Sequence, residues 1–360
     1  AQPSKRTYLP KPDGRMRPLG IAALEDKLVQ HSLVTVLNAI YEADFVGFSY
    51  GFRPGRGQHD ALDAVTVGLE RKKVNWVLDT DVSGFFDALS WERLVEMLQH
   101  RIGDRRIIRL IQKWLTAGVL EDGRRTRTTQ GTPQGGVISP LLGNIYLHYV
   151  LDLWAKRYRE ITCTGDMIIV RYADDIVVGF QHRHEALRFL GDLRERLAGF
   201  NLEVHPDKTR LIEFGRFAER DRRSAGRGRP ETFDFLGLTH YCGRSTKGWF
   251  LVRRKTMRKR LRRKLHEVKG ELRRRMHDPV PEVGKWLASV IAGHCRYYGV
   301  PGNEQALKQF RKAVIGLWQR VLSRRSQKGS VTWNRMKHLK RVYLPAATIH
   351  HPYPDRRLRV

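Results

Sequence analysis

Cysteine, long apolar runs and acidic side chains are all scarce in this chain of 360 residues. The 3 cysteines are odd in number and far apart, so neither a disulfide framework nor a CxxC zinc site is expected. No apolar run approaches the ~20 residues that a bilayer-spanning helix needs, and no signal peptide is visible. We therefore expect no membrane association and a reducing, cytoplasmic setting.

The shortage of acidic residues leaves a strongly positive chain. Lys and Arg number 67 against 37 Asp and Glu, which gives a formal net charge of +30. This excess is greater than solubility requires and predicts a polyanionic partner, nucleic acid before a basic membrane-surface role. The length is sufficient for two domains.

Against this positive background, two aspartates stand between two strand-like runs. Residues 168–180 place Asp174 and Asp175 between β-branched segments, which predicts a hairpin presenting carboxylates. Carboxylates beside a packed sheet need a counter-charge, most simply a divalent cation with oxygen ligands. A second acidic strand, residues 76–82, carries Asp81. Two such strands side by side could hold two Mg²⁺ ions, an arrangement suited to nucleotidyl transfer.

Three sequence boxes carry a family resemblance. They read DVSGFF at 81–86, TPQGGVISPLLGNI at 132–145 and YADD at 172–175. In this order and spacing they resemble the boxes of reverse transcriptases, the middle one in the form used by group II intron maturases. Further on, GHCRYYGVPGN at 293–303 and HHPYP at 350–354 resemble the maturase thumb, or domain X. The chain is thus identified as similar to group II intron-encoded reverse transcriptases over almost its whole length.

The resemblance implies an α/β (α+β) right-hand polymerase. Residues 1–242 would form the fingers and a ferredoxin-like palm, and residues 243–360 an all-helical thumb. Within the predicted palm, residues 214–230 are rich in Arg and Gly and are predicted to be a mobile basic loop. The given sequence departs from the family at both ends: the N-terminal extension and first block are absent or trimmed, and no HNH endonuclease follows the thumb, so second-strand nicking by this chain is not expected.

The resemblance also implies the catalytic residues. Asp81, Asp174 and Asp175 would carry a site for two Mg²⁺ ions, with Mn²⁺ as an alternative ion, and Asp81 and Asp174 would be the direct side-chain ligands. Val82, next to Asp81, would add its backbone to the metal site. Lys208 would approach the leaving phosphate and help to protonate or neutralise pyrophosphate; an ordinary surface lysine is the alternative.

Residues that would hold the incoming nucleotide follow from the same resemblance. Lys11 and Arg17 lie in a basic N-terminal hairpin that would grip the triphosphate, unless it is merely solvated. Phe86 would be a steric gate against a ribose 2′-OH, with a core aromatic as the alternative. Gln134 and Gly135, in a turn before an apolar helix, would lie near the bound nucleotide.

Two further groups of residues are predicted to contact nucleic acid. Arg53 and Arg56 lie in a segment of glycines and aromatics similar to a template-contacting block, and Leu236 with Gly237 lies in a hairpin similar to the primer grip. Between 253 and 275 apolar residues recur at helical spacing, and Glu267 and Glu271 are the only acidic residues. The exposed positive face of this helix is represented by Arg258, Arg262 and Lys269.

Taken together, these features predict an RNA-directed DNA polymerase in the bacterial cytoplasm. It would add dNTPs to a DNA or RNA primer on an RNA template, and would bind structured group II intron RNA to assist splicing and mobility. One alternative is an RNA-binding splicing cofactor in which polymerisation is secondary. Another is a domesticated reverse transcriptase acting in phage defence, DNA repair or CRISPR spacer acquisition. The oligomeric state is left open.

Overall fold

The computed structural model describes residues 1–10, 14, 16–325 and 330–358. The chain divides into two compact units, residues 1–229 and 230–360. The predicted domain boundary between 242 and 243 would instead cut the strand Leu238–Arg244, which pairs with strands on both sides of it. Backbone pairing therefore joins the strands Phe233–Phe235 and Leu238–Arg244 to the C-terminal unit.

The N-terminal unit combines strands and helices in alternation. Its strands are β1 (Ser4–Pro10), β2 (Met16–Ile21), β3 (Trp76–Asp81), β4 (Val119–Glu121), β5 (Arg124–Thr126), β6 (Met167–Tyr172), β7 (Asp175–Phe180) and β8 (Arg210–Glu213). Its helices are α1 (Leu24–Tyr41), α2 (Gln58–Arg71), α3 (Phe85–Ala88), α4 (Trp91–Gln99), α5 (Arg105–Thr116), α6 (Ser139–Leu147), α7 (Leu153–Ile161), α8 (Arg183–Ala198) and α9 (Ala218–Ser224). A π-helical segment, His148–Asp152, joins α6 to α7.

The sheet that carries the acidic residues is antiparallel, in the order β6-β7-β3-β8. Leu78, Ile176 and Val178 of this sheet belong to one buried cluster with the apolar helix α6. Because α6 is buried almost all round, it forms the centre of the core. The strand register sets Asp81 opposite Asp175 at the sheet end.

A second sheet has the order β2-β1-β4-β5. β1 and β2 form the predicted basic hairpin, and β1 also pairs in parallel with β4. Lys11, which follows β1 in the chain, lies outside the described residues. The amide of Gly20, in β2, donates to the carbonyl oxygen of Gln134 at 2.6 Å, which ties the hairpin to the loop before α6.

The segment predicted to be a mobile basic loop, 214–230, instead contains helix α9. The reason is Glu213, whose side chain is buried at the end of β8. A buried carboxylate needs cationic partners, and Arg222 and Arg227 supply them at 3.5 and 3.1 Å. Some of the arginines in this segment therefore stabilise the fold by pairing with a buried carboxylate.

The C-terminal unit begins with a three-stranded sheet and continues as helices. Its elements are β9 (Phe233–Phe235), β10 (Leu238–Arg244), β11 (Phe250–Thr256), α10 (Arg258–Arg274), α11 (Val280–Tyr298), α12 (Glu304–Ser323), α13 (Trp333–Tyr343) and α14 (Pro354–Arg357). The prediction of an all-helical thumb over 243–360 is wrong for β11. The alternate residues Val252, Arg254 and Thr256 are buried there, which is the period of a strand.

The helices of this unit share one core, which includes Leu272, Leu287, Phe310 and Trp318. Helix α10 contributes only a narrow apolar stripe, with Val268 and Leu272 buried, as its periodicity predicts. Among the residues that the structure describes, no helix is both long and apolar enough to cross a membrane.

Candidate active site

The acidic turn between β6 and β7 has a constrained backbone. Tyr172 and Asp175 are paired across it, and Ala173 takes the left-handed conformation at φ 55°. The turn lies directly against Gly51, where an added Cβ would come within 2.4 Å of the Ala173 amide nitrogen. Gly51 therefore has to be a glycine for the turn to occupy this place, which sequence reasoning did not detect.

Asp81, at the end of β3, is 8% exposed. Its Oδ2 accepts from the Lys208 ammonium, so Lys208 lies next to this carboxylate. Its Oδ1 is buried and has no hydrogen-bond partner among the described residues. A buried carboxylate oxygen without a partner is costly, so this atom marks a position where a cation would be favourable.

Asp174 is a close electrostatic neighbour of Asp81. Burial raises the pKa of the Asp174 carboxyl above its usual range, and the negative charge of Asp81 raises it further. The positive charges of Lys208 and Arg17 act in the opposite direction. The site thus combines two mutually repelling carboxylates with the guanidinium of Arg17, which lies on β2.

The donor set fits a divalent cation. Among the described residues there is no group of three or more His, Cys, Asp or Glu side chains able to hold a metal by themselves. Mg²⁺ sites in nucleotidyl transfer commonly use one or two carboxylates and are completed by phosphates and water. The unpartnered Asp81 Oδ1 and the desolvated Asp174 match that smaller set. Val82 is buried beside Asp81, and Asp175 is exposed.

Phe86, the predicted steric gate, is half-buried. Its ring packs edge-on against that of Phe85, with centroids 5.1 Å apart. Both rings lie on Gly143 of α6, where an added Cβ would be 3.0 Å from Phe85 Cε1 and 3.1 Å from Phe86 Cε1. Gly143 therefore sets how far the Phe86 ring can move, although the sequence analysis did not single it out.

The loop before α6 is tied to the same place. Gln134 Nε2 donates to the Asp87 carboxylate at 3.2 Å, and the Thr132 amide donates to the Phe86 carbonyl oxygen at 2.7 Å. Gly135 has φ 106°, a conformation that favours glycine, and packs on Gly20. A cavity of about 300 Å³ lies along this loop, lined in part by Asp87 and Gln134. The structure thus brings the loop predicted to hold the nucleotide next to Phe86.

Arg53 has a different environment from the one predicted for a nucleic-acid contact. It is only 5% exposed, and its guanidinium pairs with Glu42 at 2.8 Å and donates to the carbonyl oxygens of Val46 and Ser49. Its donors are therefore engaged within the fold, and it holds the loop before α2 in place. Arg56 is half-buried and donates to the Gly47 carbonyl oxygen at 2.7 Å, so it retains more accessible surface.

In the C-terminal unit, Leu236 and Gly237 form a turn with positive φ angles of 47° and 82°. The Tyr297 hydroxyl donates to the Leu236 carbonyl oxygen at 2.9 Å, which anchors this turn to α11. The predicted basic positions on α10 are all exposed: Arg258, Arg262 and Lys269. Their spacing of four and seven residues places them on one side of the helix.

The acidic residues of α10 neutralise other cations. Glu267 lies 3.5 Å from Arg263 and 3.3 Å from Lys264, and Glu271 pairs with Arg274 and Arg275 at 3.2 and 2.7 Å. The side of the helix that carries Arg258, Arg262 and Lys269 therefore keeps its positive charge.

An antiparallel sheet with carboxylates at the end of β3 and in the β6–β7 turn, together with a cationic hairpin, is the arrangement of a palm-type polymerase. Residues 9–240 match the family described as "Reverse transcriptase (RNA-dependent DNA polymerase)", and the chain belongs to that family.

Relatives support the same assignment. The chain is 34% identical over 241 residues to Protein YkfC of Escherichia coli K12, covering 58% of this chain and 63% of the relative. It is 42% identical over 164 residues to the group II intron-encoded protein LtrA of Lactococcus lactis, covering 44% and 27%. It therefore spans less than two thirds of the length of these relatives. The predicted resemblance to group II intron-encoded reverse transcriptases is confirmed.

Solved structures confirm the right-hand polymerase fold. Telomerase from Candida albicans aligns with a TM-score of 0.50 at 12% identity, covering 94% of this chain and 62% of that chain. Apo telomerase from Candida tropicalis, truncated from its C-terminal domain, gives 0.50 at 16% identity, covering 66% and 53%. Reverse transcriptases use divalent metal ions for catalysis, which agrees with the donor set around Asp81 and Asp174.

Proposed function

We propose that this chain is an RNA-directed DNA polymerase of the group II intron type, which extends a primer 3′-OH with deoxynucleotides on an RNA template. The observation that carries the proposal is the pair of neighbouring carboxylates, Asp81 and Asp174, whose charges repel each other. Such a pair costs stability in the absence of a cation. In a chain of net charge +30 that belongs to the reverse transcriptase family, catalysis is the reason to retain it.

Asp81 and Asp174 would hold two Mg²⁺ ions, or Mn²⁺ in their place, with the Val82 backbone and Asp175 contributing at the edge of the site. When bound, such ions activate the attacking hydroxyl and stabilise the leaving pyrophosphate. Lys208 contacts Asp81 with a side chain that is 57% exposed. It can therefore turn toward the pyrophosphate and donate a proton to it.

Substrate selection would fall to residues around the loop before α6. Arg17, whose charge acts on Asp174, would contact the triphosphate, and so would Lys11. Gln134 and Gly135 would position the nucleotide, and Phe86 would exclude the ribose 2′-OH. This proposal is supported by the hydrogen bond that the Thr132 amide of the loop donates to the Phe86 carbonyl oxygen.

The template and primer would bind through backbone contacts. Arg56, the Leu236-Gly237 turn and the positive side of α10 are the proposed contacts, and Arg53 would act by holding the loop that carries Arg56. A duplex with an RNA strand has an A-form shape, recognised through phosphates and 2′-OH groups, so copying would not depend on sequence.

A second function, binding of structured intron RNA to assist splicing, is favoured by two observations. Relatives include a group II intron-encoded protein and the nuclear intron maturase 2 of Arabidopsis thaliana, the latter 30% identical over 108 residues and covering 29% of this chain and 14% of the relative. The uncompensated positive side of α10 is a surface that such an RNA could use. A bacterial cytoplasmic location fits both functions.

Primer extension on an RNA template with dNTPs and Mg²⁺ tests the polymerase proposal. The native chain should extend the primer, and Asp174→Asn should lower the rate by about 10³-fold or more. Asp221→Asn is the matched control, because Asp221 is a partly exposed carboxylate on α9 of the same unit that pairs with the surface residue Arg220 at 2.9 Å. It should extend at the native rate.

Binding of the same RNA, measured by electrophoretic shift, separates the two functions. Asp174→Asn should bind RNA with native affinity, because it removes no positive charge. If neither native protein nor control extends the primer while RNA binding is tight, the polymerase proposal is refuted. Splicing of a group II intron RNA in the presence of the protein then becomes the deciding assay for the second function.

A further inference from the structure

Directly before the acidic turn, the side chain of Arg171 is completely buried. Its Nε and Nη2 donate to the two carboxylate oxygens of Asp152 at 2.7 and 2.5 Å. Nη2 also donates to Ser49 Oγ at 2.7 Å. Nη1 donates to Asn144 Oδ1 at 3.1 Å and to the carbonyl oxygen of Ala173 at 3.0 Å. All five N–H groups of the guanidinium are therefore used.

Stability alone does not explain this arrangement. Both side chains of the Arg171–Asp152 pair are 0% exposed, so both charges are fully desolvated. Replacing a buried ion pair by apolar side chains is often neutral or stabilising. The pair fixes the orientation of the planar guanidinium. In this orientation its Nη1 donates to the Ala173 carbonyl oxygen.

That carbonyl belongs to the peptide that leads into Asp174. Ala173 has a left-handed φ of 55°, which a residue with a Cβ adopts only when its surroundings enforce it. Gly51 closes the other side of the turn, and Asn144 Nδ2 donates to the Gly51 carbonyl oxygen at 2.6 Å. Asn144 thus links the guanidinium to the glycine that packs on the turn.

The backbone around Arg171 is held as firmly as its side chain. The Arg171 amide donates to the Phe48 carbonyl oxygen, and the Tyr50 amide donates to the Arg171 carbonyl oxygen, both at 2.9 Å. Asp152 ends the π-helical segment His148–Asp152. Such segments are rare and often occur at functional sites. Here the last residue of the segment carries the carboxylate that orients Arg171.

We propose that Arg171 is a positioning residue for the polymerase site: fixed by Asp152, it holds the Ala173 carbonyl and thereby sets where the Asp174 carboxylate lies relative to Asp81. The inference rests on the proposed function for its catalytic consequence. Lysine cannot substitute, because its ammonium is a point charge without a planar fork and cannot serve Asp152, Asn144 and Ala173 together.

Two variants test this role, Arg171→Lys and Asp152→Asn. Arg196→Lys is the matched control, because its partly buried guanidinium donates to the carbonyl oxygens of Val150 and Tyr149 in the same π-helical segment, at 2.9 and 3.1 Å, and not to the turn. If both test variants fail to fold, Ser49→Ala removes one neutral partner of Arg171 and leaves the ion pair intact.

Two measurements are made on each variant. Amide hydrogen exchange of the peptide covering residues 168–180, without metal or substrate, reports the order of the turn. The single-turnover extension rate, the KM for dNTP and the Kd for primer-template report function. For Arg171→Lys we expect exchange at least tenfold faster in this peptide alone and a rate about 100-fold lower. KM and Kd should stay within twofold, and the control should match the native protein.

Two results would overturn the proposal. One is an Arg171→Lys protein, or Ser49→Ala where only that variant folds, with native exchange in the turn. The other is faster exchange throughout the N-terminal unit with an unchanged rate per folded molecule, which would make the network merely structural. If the native chain does not extend primers at all, the polymerase function fails, and the exchange measurement still decides whether Arg171 orders the turn.

Discussion

Neutralising Asp174 should have opposite effects on stability and on activity. The pKa of this carboxyl is raised in the folded chain, so the folded state disfavours its ionised form relative to the unfolded state. At neutral pH the group is ionised in the unfolded chain, and its charge therefore costs folding free energy. Asp174→Asn removes that charge and keeps the shape. We expect about 1 kcal/mol of added stability in the absence of metal, a typical gain when a strained functional group is removed.

For a unit of 229 residues, 1 kcal/mol corresponds to a rise in melting temperature of about 2–4 °C. Thermal unfolding is followed at pH 7.5 in EDTA for native protein and variant. Asp81→Asn is the matched comparison. It relieves the same repulsion but gives up the contact with Lys208, so its gain should be smaller.

Added metal should make the native protein more stable than Asp174→Asn, the reverse of the order in EDTA. A cation that binds only the folded chain at ten times its Kd adds about 1.4 kcal/mol to the native protein, whereas Asp174→Asn has lost a ligand and should gain less from the same Mg²⁺ or Mn²⁺. The reasoning would be refuted if Asp174→Asn melted below the native protein in EDTA. It would also be refuted if both proteins showed the same metal-induced shift.

Three further predictions concern the sugar gate, the basic helix and a buried histidine. Phe86→Ala should lower the preference for dNTP over NTP about 100-fold, read as the ratio of kcat/KM values, because the ring no longer blocks the 2′-OH. Replacing Arg262 and Lys269 by Gln should reduce the slope of log Kd against log salt by about 1.4–1.8, since each neutralises one phosphate. Burial lowers the pKa of His294 to about 4, so the unfolded chain takes up a proton first as pH falls. The free energy of unfolding, measured in urea, should be highest above about pH 6.5 and should fall by about 3 kcal/mol by pH 4. In His294→Phe the fall should be smaller.

Each of these predictions has a contrary result. An unchanged sugar preference would make Phe86 a core aromatic. For the helix, the control is Arg263→Gln with Arg274→Gln, because both arginines already pair with glutamates on α10; an equal change of slope in test and control would remove the assigned binding side. A His294→Phe protein that keeps the whole acid loss would show that another group, such as the buried His240, is responsible.

The acidic hairpin could be predicted because the residues that determine it are contiguous in the chain. The β-branched runs around Asp174 and Asp175 specify a hairpin, and the structure contains it as β6 and β7. The N-terminal hairpin is likewise a local feature, and the structure contains it as β1 and β2. In each case the pattern that determines the element lies within a few residues.

The errors arose where a distant partner decides what a residue does. Arg53 has the local composition of a nucleic-acid contact, yet Glu42 and two carbonyl oxygens engage its guanidinium. The basic segment after β8 contains a helix because the buried Glu213 requires arginines. Strand β11 forms because it pairs with β10, and the prediction of an all-helical thumb did not include this pairing.

By itself, the sequence determined the family, the order of the boxes and the identity of the acidic residues, because these depend on contiguous residues and on charge. Only the tertiary structure decided which groups meet. Lys208 reaches Asp81 across 127 positions, and Ser49 reaches Arg171 across 122. Strand register and burial create such pairs, and no local pattern encodes them. For the same reason the hydrogen bond from the Arg171 guanidinium to the Ala173 carbonyl oxygen in the acidic turn became visible only once the fold was known.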